Sequence, residues 1–361
     1  MTAIDRLAEA GTSTWLDDLS RDRIVSGNLA EIKAAKSLSG VTTNPAIFAK
    51  AMSSGTAYNE QIAELKAGKV GVDEAVYAMS VKDVQDACDL FLDVFEATGG
   101  RDGRVSIEVD PRHADDEERT VAHAKELWEL VDRPNVMIKI PATDASLPAI
   151  TQTLAEGISV NVTLIFSVER YQQVIDAYKA GIAQAAANGH DVSQIHSVAS
   201  FFVSRMDTEV DNRLDAIGTD EARALKGKAG IANARLAYQL FLDSFGSDDG
   251  LPEGANKQRP LWASTGVKNP DYPADMYVTE LAGPDTVNTM PEPTIDAVLN
   301  ADNIHGDTLT GTADEAREVF EQLAAAGIEL DDVVSVLERE GVEKFVDAWQ
   351  ELLESMLENL K

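Results

Sequence analysis

PNVMIKIPAT, residues 134–143, is a short apolar run bounded by two prolines and interrupted by one charge, Lys139. Its length and its Val and Ile content read as a buried strand over 136–140. Side chains alternate along a strand, so Val136, Ile138 and Ile140 share one face, and Met137 and Lys139 the other. A buried ammonium is expensive unless it is paired or put to use. The face that carries Lys139 must therefore look onto polar company.

Working outward, seven further segments have the same character: 13–17, 39–44, 104–109, 158–164, 196–203, 260–265 and 285–290. Helical patterns separate them. Within 114–132, Val121, Ala124, Leu127, Trp128 and Val131 recur at helical spacing, and Ser167 is placed to cap a helix over 168–188. Eight alternations of strand and helix predict a (β/α)8 barrel. We expect a single domain over 1–361, with helical insertions near 51–100 and 206–259 and a helical tail over 312–361. Thr312-Ala-Asp-Glu315 has the form of a capping box at the start of that tail.

Composition narrows the function. The chain of 361 residues carries 31 basic against 62 acidic side chains, a net charge of −31. Nucleic acid and anionic membrane need a basic face, so neither is an expected partner. No 18-residue apolar run or signal-like start occurs, and Cys88 is the single cysteine, which excludes an internal disulfide. A cytoplasmic protein, monomer or homodimer, is the expectation. No glycine-rich phosphate loop of the G-x-G-x-x-G or Walker kind is present. Glu108, Asp110 and His113 lie close in sequence but straddle a strand end and a proline, and no metal or cofactor is expected. The sequon Asn161-Val-Thr163 falls in a buried strand and does not read as a glycosylation site.

In a barrel of this kind the apolar strand faces meet the surrounding helices, and the other faces point inward. Ile158, Val160, Val162 and Leu164 are thus expected outside, with Ser159, Asn161 and Thr163 inside. The same alternation sends Val105, Ile107 and Val109 outward and Ser106 and Glu108 inward. It groups Ser13, Trp15 and Asp17 on the first strand, and Val198, Ser200 and Phe202 on the sixth. Asp17, Asn44, Glu108, Lys139, Asn161, Thr163 and Ser200 then gather at the C-terminal end, where active sites of this fold lie. A desolvated lysine has a lowered pKa, and its neutral amine attacks carbonyls to form a Schiff base. Glu108 and Asp17 are suited to the accompanying proton transfers. The plainer alternative is a structural ion pair between Lys139 and Glu108.

The segments SGVTTNPAIFAKAM (39–52), VSIEVDPR (105–112), NVMIKIPAT (135–143), ISVNVTLIFS (158–167) and SVASFFVSRMD (197–207) resemble, in order, the signature segments of transaldolases. LWASTGVKNP (261–270) and DTVNTMPEPT (285–294) are similar to the long form found in actinobacteria and cyanobacteria. The resemblance runs over about 13–290. It implies Lys139 as the Schiff-base lysine and Glu108 as an acid/base acting through a water that Thr163 helps hold. Asp17 matches the group that takes the C4 hydroxyl proton; strand alternation favours it over its neighbour Asp18. Asn44 and Asn161 match substrate-side asparagines, while Ser200, Arg205 and Ser264 match substrate and phosphate contacts. Phe202 stands where the related fructose 6-phosphate aldolases carry tyrosine, and Glu108 where they carry glutamine. Two residues after Ser264, many transaldolases have a second phosphate-binding arginine. This chain has Gly266, with Lys268 two residues on as the candidate replacement. The activity implied is transfer of a dihydroxyacetone unit between sugar phosphates in the non-oxidative pentose phosphate pathway. The rivals are an aldolase that releases dihydroxyacetone and a non-catalytic barrel that binds sugar phosphates.

Overall fold

The computed structural model describes residues 1–361 as a closed barrel of eight parallel strands in sequential order. They are β1 (Thr12–Asp17), β2 (Gly40–Thr42), β3 (Arg104–Glu108), β4 (Val136–Pro141), β5 (Val160–Ile165), β6 (Ser197–Phe202), β7 (Arg259–Ala263) and β8 (Thr286–Met290). All eight expected strands are present, and β1 closes the ring against β8. The largest difference is β2, shorter than the expected 39–44. Asn44 already caps the helix Pro45–Met52, and a proline has no N–H to offer a sheet.

Ser167 caps the helix Val168–Ala187, its hydroxyl accepting from the Arg170 N–H at 3.0 Å. The expected helix over 114–132 runs Glu117–Val131, after Asp116 as its cap. Between β2 and β3 lie the helices Pro45–Met52, Asn59–Ala67 and Val72–Ala97, with Cys88 buried in the last. After β6 come Ser204–Ile217, Asp220–Arg223 and Ala229–Ser244, and the tail holds Ala313–Ala325 and the C-terminal helix Leu330–Leu360. The expected capping box at Thr312 does not form. Thr312 sits at φ −100°, ψ 1°, away from extended cap geometry, and its hydroxyl donates back to the Leu309 carbonyl at 2.6 Å.

Two apolar layers follow from strand alternation. Outside, Val105, Ile107, Val136, Ile138, Ile140, Val160 and Val162 pack under the helices. Inside, Trp15, Met137, Val198, Leu261 and Val287 fill the barrel below the polar end. Trp15 is wholly buried, and a Cβ on Gly40 would lie 2.7 Å from its ring atoms. The bare glycine is what lets the indole cross the barrel. Beneath it, Asp102 accepts from the Trp15 indole N–H, the Ser13 hydroxyl and Arg259, which closes the N-terminal end with paired polar groups.

Leu164 departs from expectation. Its backbone adopts φ +58°, the β5–β6 register shifts between Val162 and Ile165, and its side chain joins the inner cluster beside Phe166 and Phe202. Ile165 takes the outward place instead. A left-handed residue breaks the two-residue period, and such costly backbone concentrates at functional sites.

Candidate active site

Parallel pairing in register sets Glu108 beside Lys139, and Lys139 beside Asn161. Lys139 and Glu108 are each 6% exposed. The Lys139 ammonium donates to the Thr43 carbonyl at 2.6 Å and stands 3.7 Å from Glu108 Oε2, an ion-pair separation longer than a hydrogen bond. Neither oxygen of Glu108 has a hydrogen-bond partner within the protein, and the same holds for Thr163 Oγ1. Burial pushes the Glu108 carboxyl up to about 7, against the opposing pull of Lys139. Such a group can hold or release a proton near neutral pH.

Lys139 opens into a cavity of about 190 Å³ at the C-terminal mouth. Asp17, Asn44, Thr163, Ser200, Phe202, Arg205, Ser264 and Lys268 line it too. The Asp17 carboxylate accepts from the Thr42 hydroxyl at 2.8 Å, and Thr42 in turn meets Thr289. Burial raises the Asp17 pKa, with the Lys139 charge as the main opposing influence. Asp18 is engaged elsewhere, 2.8 Å from Arg23. Asn44 Oδ1 accepts from the Ile47 N–H as a helix cap, which fixes the residue at the cavity edge. Asn161 and Glu108 are not in the cavity wall itself. Asn161 is fully buried, accepting from the Ser200 hydroxyl at 2.6 Å and donating to Ser106.

Two further cations, Arg205 and Lys268, line the cavity. Arg205 sits 5.1 Å over the Phe202 ring, its Nη1 buried without a hydrogen-bond partner, and burial lowers its pKa. The Lys268 ammonium lies 3.9 Å from where a Cβ on Gly266 would stand. Ser264 adopts φ +54° and its hydroxyl pairs with Ser204 at 2.8 Å, turning the chain after β7 into the cavity. Asp110 and His113 are not part of the site: Arg112 engages the Asp110 carboxylate at 2.6 Å.

Sequence reasoning missed Thr42, Thr43, Thr289 and Phe345. The first two stand in the TTNP stretch, where alternation could have shown Thr42 pointing inward beside Asp17. Thr43 acts through its backbone carbonyl, which carries no sequence signal. Phe345 reaches the cavity from the C-terminal helix, some 200 residues after Lys139.

A parallel eight-stranded barrel with an amine and carboxylates inside one mouth and cations on its rim is a defined class of site. The chain belongs to the transaldolase/fructose-6-phosphate aldolase family, whose description, Transaldolase/Fructose-6-phosphate aldolase, matches residues 14–356. It is similar to the Transaldolase of Mycolicibacterium paratuberculosis, 60% identical over 358 residues, covering 98% of this chain and 96% of that protein. The Transaldolase of Mycobacterium tuberculosis is 59% identical over 352 residues, covering 96% and 94%. That of Mycobacterium leprae is 58% identical over 358 residues, covering 98% and 96%.

Proposed function

We infer that the chain acts as a transaldolase by way of a Schiff base on Lys139. The observation that carries this reading is one cavity lined by Lys139, Asp17, Arg205 and Lys268. The substrates are sedoheptulose 7-phosphate and glyceraldehyde 3-phosphate, the products erythrose 4-phosphate and fructose 6-phosphate. The phosphate binds at Arg205 and Lys268; Lys268 brings its charge back to the position that Gly266 leaves without one. An ammonium is a point charge, so this contact is less directional than an arginine fork.

Deprotonated Lys139 attacks the ketose carbonyl. Glu108, through a water held with Thr163, shuttles the protons as the carbinolamine loses hydroxide and becomes an iminium. The unpartnered oxygens of Glu108 and Thr163 support that role. Asp17 accepts the C4 hydroxyl proton, the C3–C4 bond breaks, and its electrons flow into the iminium to give an enamine. The aldose phosphate leaves, the acceptor aldehyde enters, and the steps reverse. Ser200 and Asn44 orient the hydroxyls, and Asn161 holds Ser200 in place. Borohydride reduction in the presence of fructose 6-phosphate should add a three-carbon unit to the Lys139 peptide. An unmodified peptide would sink the mechanism.

The second reading, an aldolase that releases dihydroxyacetone, is disfavoured by Phe202 and Glu108. The Phe202 ring lies 5.2 Å from that of Phe166 and offers no hydroxyl to activate water. We assign the chain one catalytic domain and a cytoplasmic setting; no helix is long and apolar enough to cross a membrane.

A further inference from the structure

Phe202 offers no hydroxyl to activate water, but no residue named so far keeps water itself out. After the first aldose phosphate departs, the three-carbon enamine on Lys139 must outlast the exchange of products. If its carbon takes back the proton that Asp17 accepted and a water adds to the resulting iminium, the C–N bond breaks. Lys139 then departs with the electron pair, and free dihydroxyacetone results. Since iminium formation expelled one water, this path is a balanced aldol cleavage, and it competes with transfer at every turnover.

We propose that Phe345, on the C-terminal helix, is the specificity-determining residue that keeps water from the Lys139-bound unit and so sets the partition between transfer and release. This rests on the Schiff-base reading above. Phe345 comes from outside the eight strand–helix units, yet it lines the same cavity as Lys139 and is only 7% exposed. It offers the cavity an aromatic ring with no hydrogen-bonding group. Most of the remaining wall is polar, Ser264, Thr265, Lys268 and Arg205 among it, and Phe202 is the other aromatic ring.

The helix that carries it is seated on both sides of the ring. Four residues before, Gly341 lies so close to the end of β5 that a Cβ would stand 3.1 Å from Phe166 and 3.3 Å from Leu164. Four residues after, Trp349 packs on Tyr77 with ring centroids 4.9 Å apart. Residues 341, 345 and 349 share one helix face. The inward turn of Leu164 at φ +58° supplies part of the seat. A strained residue, a close-packed glycine and a tryptophan tilted against Tyr77 thus hold one phenylalanine against the cavity. Excluding water from a reactive intermediate is a recognised use of such closure.

The test compares Phe345→Ala, Phe345→Leu and the unaltered protein. Dihydroxyacetone release is measured with fructose 6-phosphate alone. Transfer is measured with fructose 6-phosphate and erythrose 4-phosphate. Phe345→Ala should raise the ratio of release to transfer by about tenfold or more, with Phe345→Leu in between. Borohydride trapping at Lys139 accompanies each variant. An unchanged ratio, with trapping retained, overturns the role of Phe345 even if both rates fall. Absence of trapping in the unaltered protein overturns the Schiff-base reading instead. Melting curves check folding; where Phe345→Ala does not fold, the leucine variant decides by the same ratio.

Discussion

At Lys139 the ammonium has two unlike oxygen neighbours, a backbone carbonyl at 2.6 Å and a carboxylate at 3.7 Å. The carbonyl orients the amine and never titrates; the carboxylate does titrate. Because the Glu108 carboxyl is pushed from 4.5 to about 7, the folded state binds its proton more tightly than the unfolded chain. This contribution favours folding fully below 4.5 and is lost as the pH rises through about 7. Glu108→Gln cannot titrate, so its stability relative to the parent should improve between about pH 5 and about pH 8, read as urea midpoints. A constant difference would deny the shift. Asp17→Asn should lower kcat by roughly 10²–10⁴ while borohydride still traps an adduct at Lys139, since only bond cleavage loses its base. Lys268→Ala should raise the KM for phosphorylated substrates about tenfold or more, the scale of a hydrogen bond to a charged group, with little change in kcat. An unaltered KM would remove Lys268 from the phosphate end. Lys139, Glu108 and Asp17 were legible because each sits on a strand whose period is two. The Thr43 carbonyl was not, because any residue supplies one.

Among the elements, β2 carries more than its three residues suggest. Gly40 makes room for Trp15, Thr42 bonds Asp17, and the chain beyond it presents Thr43 to Lys139 and Asn44 to the cavity. Gly40→Ala places a methyl 2.7 Å from the indole. Overpacking of this kind should cost about 1–3 kcal/mol in chemical denaturation. A neutral result would mean that Trp15 can shift without loss. The end of β5 shows where element-level reading fails. Alternation through 158–164 assigned Leu164 to the helices, but one left-handed residue turned it inward. Leucine rarely adopts such a backbone, so nothing in its type announced the change. Likewise, the Thr312 motif has the letters of a capping box, yet the preceding turn took its hydroxyl.

Over the whole molecule, 31 uncompensated negative charges surround a site that must attract anions. The cations that serve it are local, Arg205 and Lys268, with Lys139 deeper in the same cavity. Self-repulsion at this net charge opposes the compact state, and added salt screens it. Raising sodium chloride from about 0.05 M to about 0.5 M should therefore raise the melting temperature. A fall would show that surface ion pairs outweigh the net repulsion. The C-terminal helix is the other whole-molecule feature. It runs from Leu330 to Leu360, packs near β5 and Tyr77, and completes a cavity whose other walls all come from the barrel.

By itself the sequence determined the eight strands, their faces, and hence the inward company of Lys139. These depend on a local period and on which side chains avoid water. The tertiary structure alone decided the partners that come from far along the chain: Thr289 behind Thr42, Arg23 drawing Asp18 away, Leu164 turned inward, and Phe345 over the cavity. Helical periodicity says which face of a helix is buried, but not against what. That choice depends on the shape of the surface awaiting it, and here that surface is the end of β5, shaped by one backbone turn and matched by one glycine.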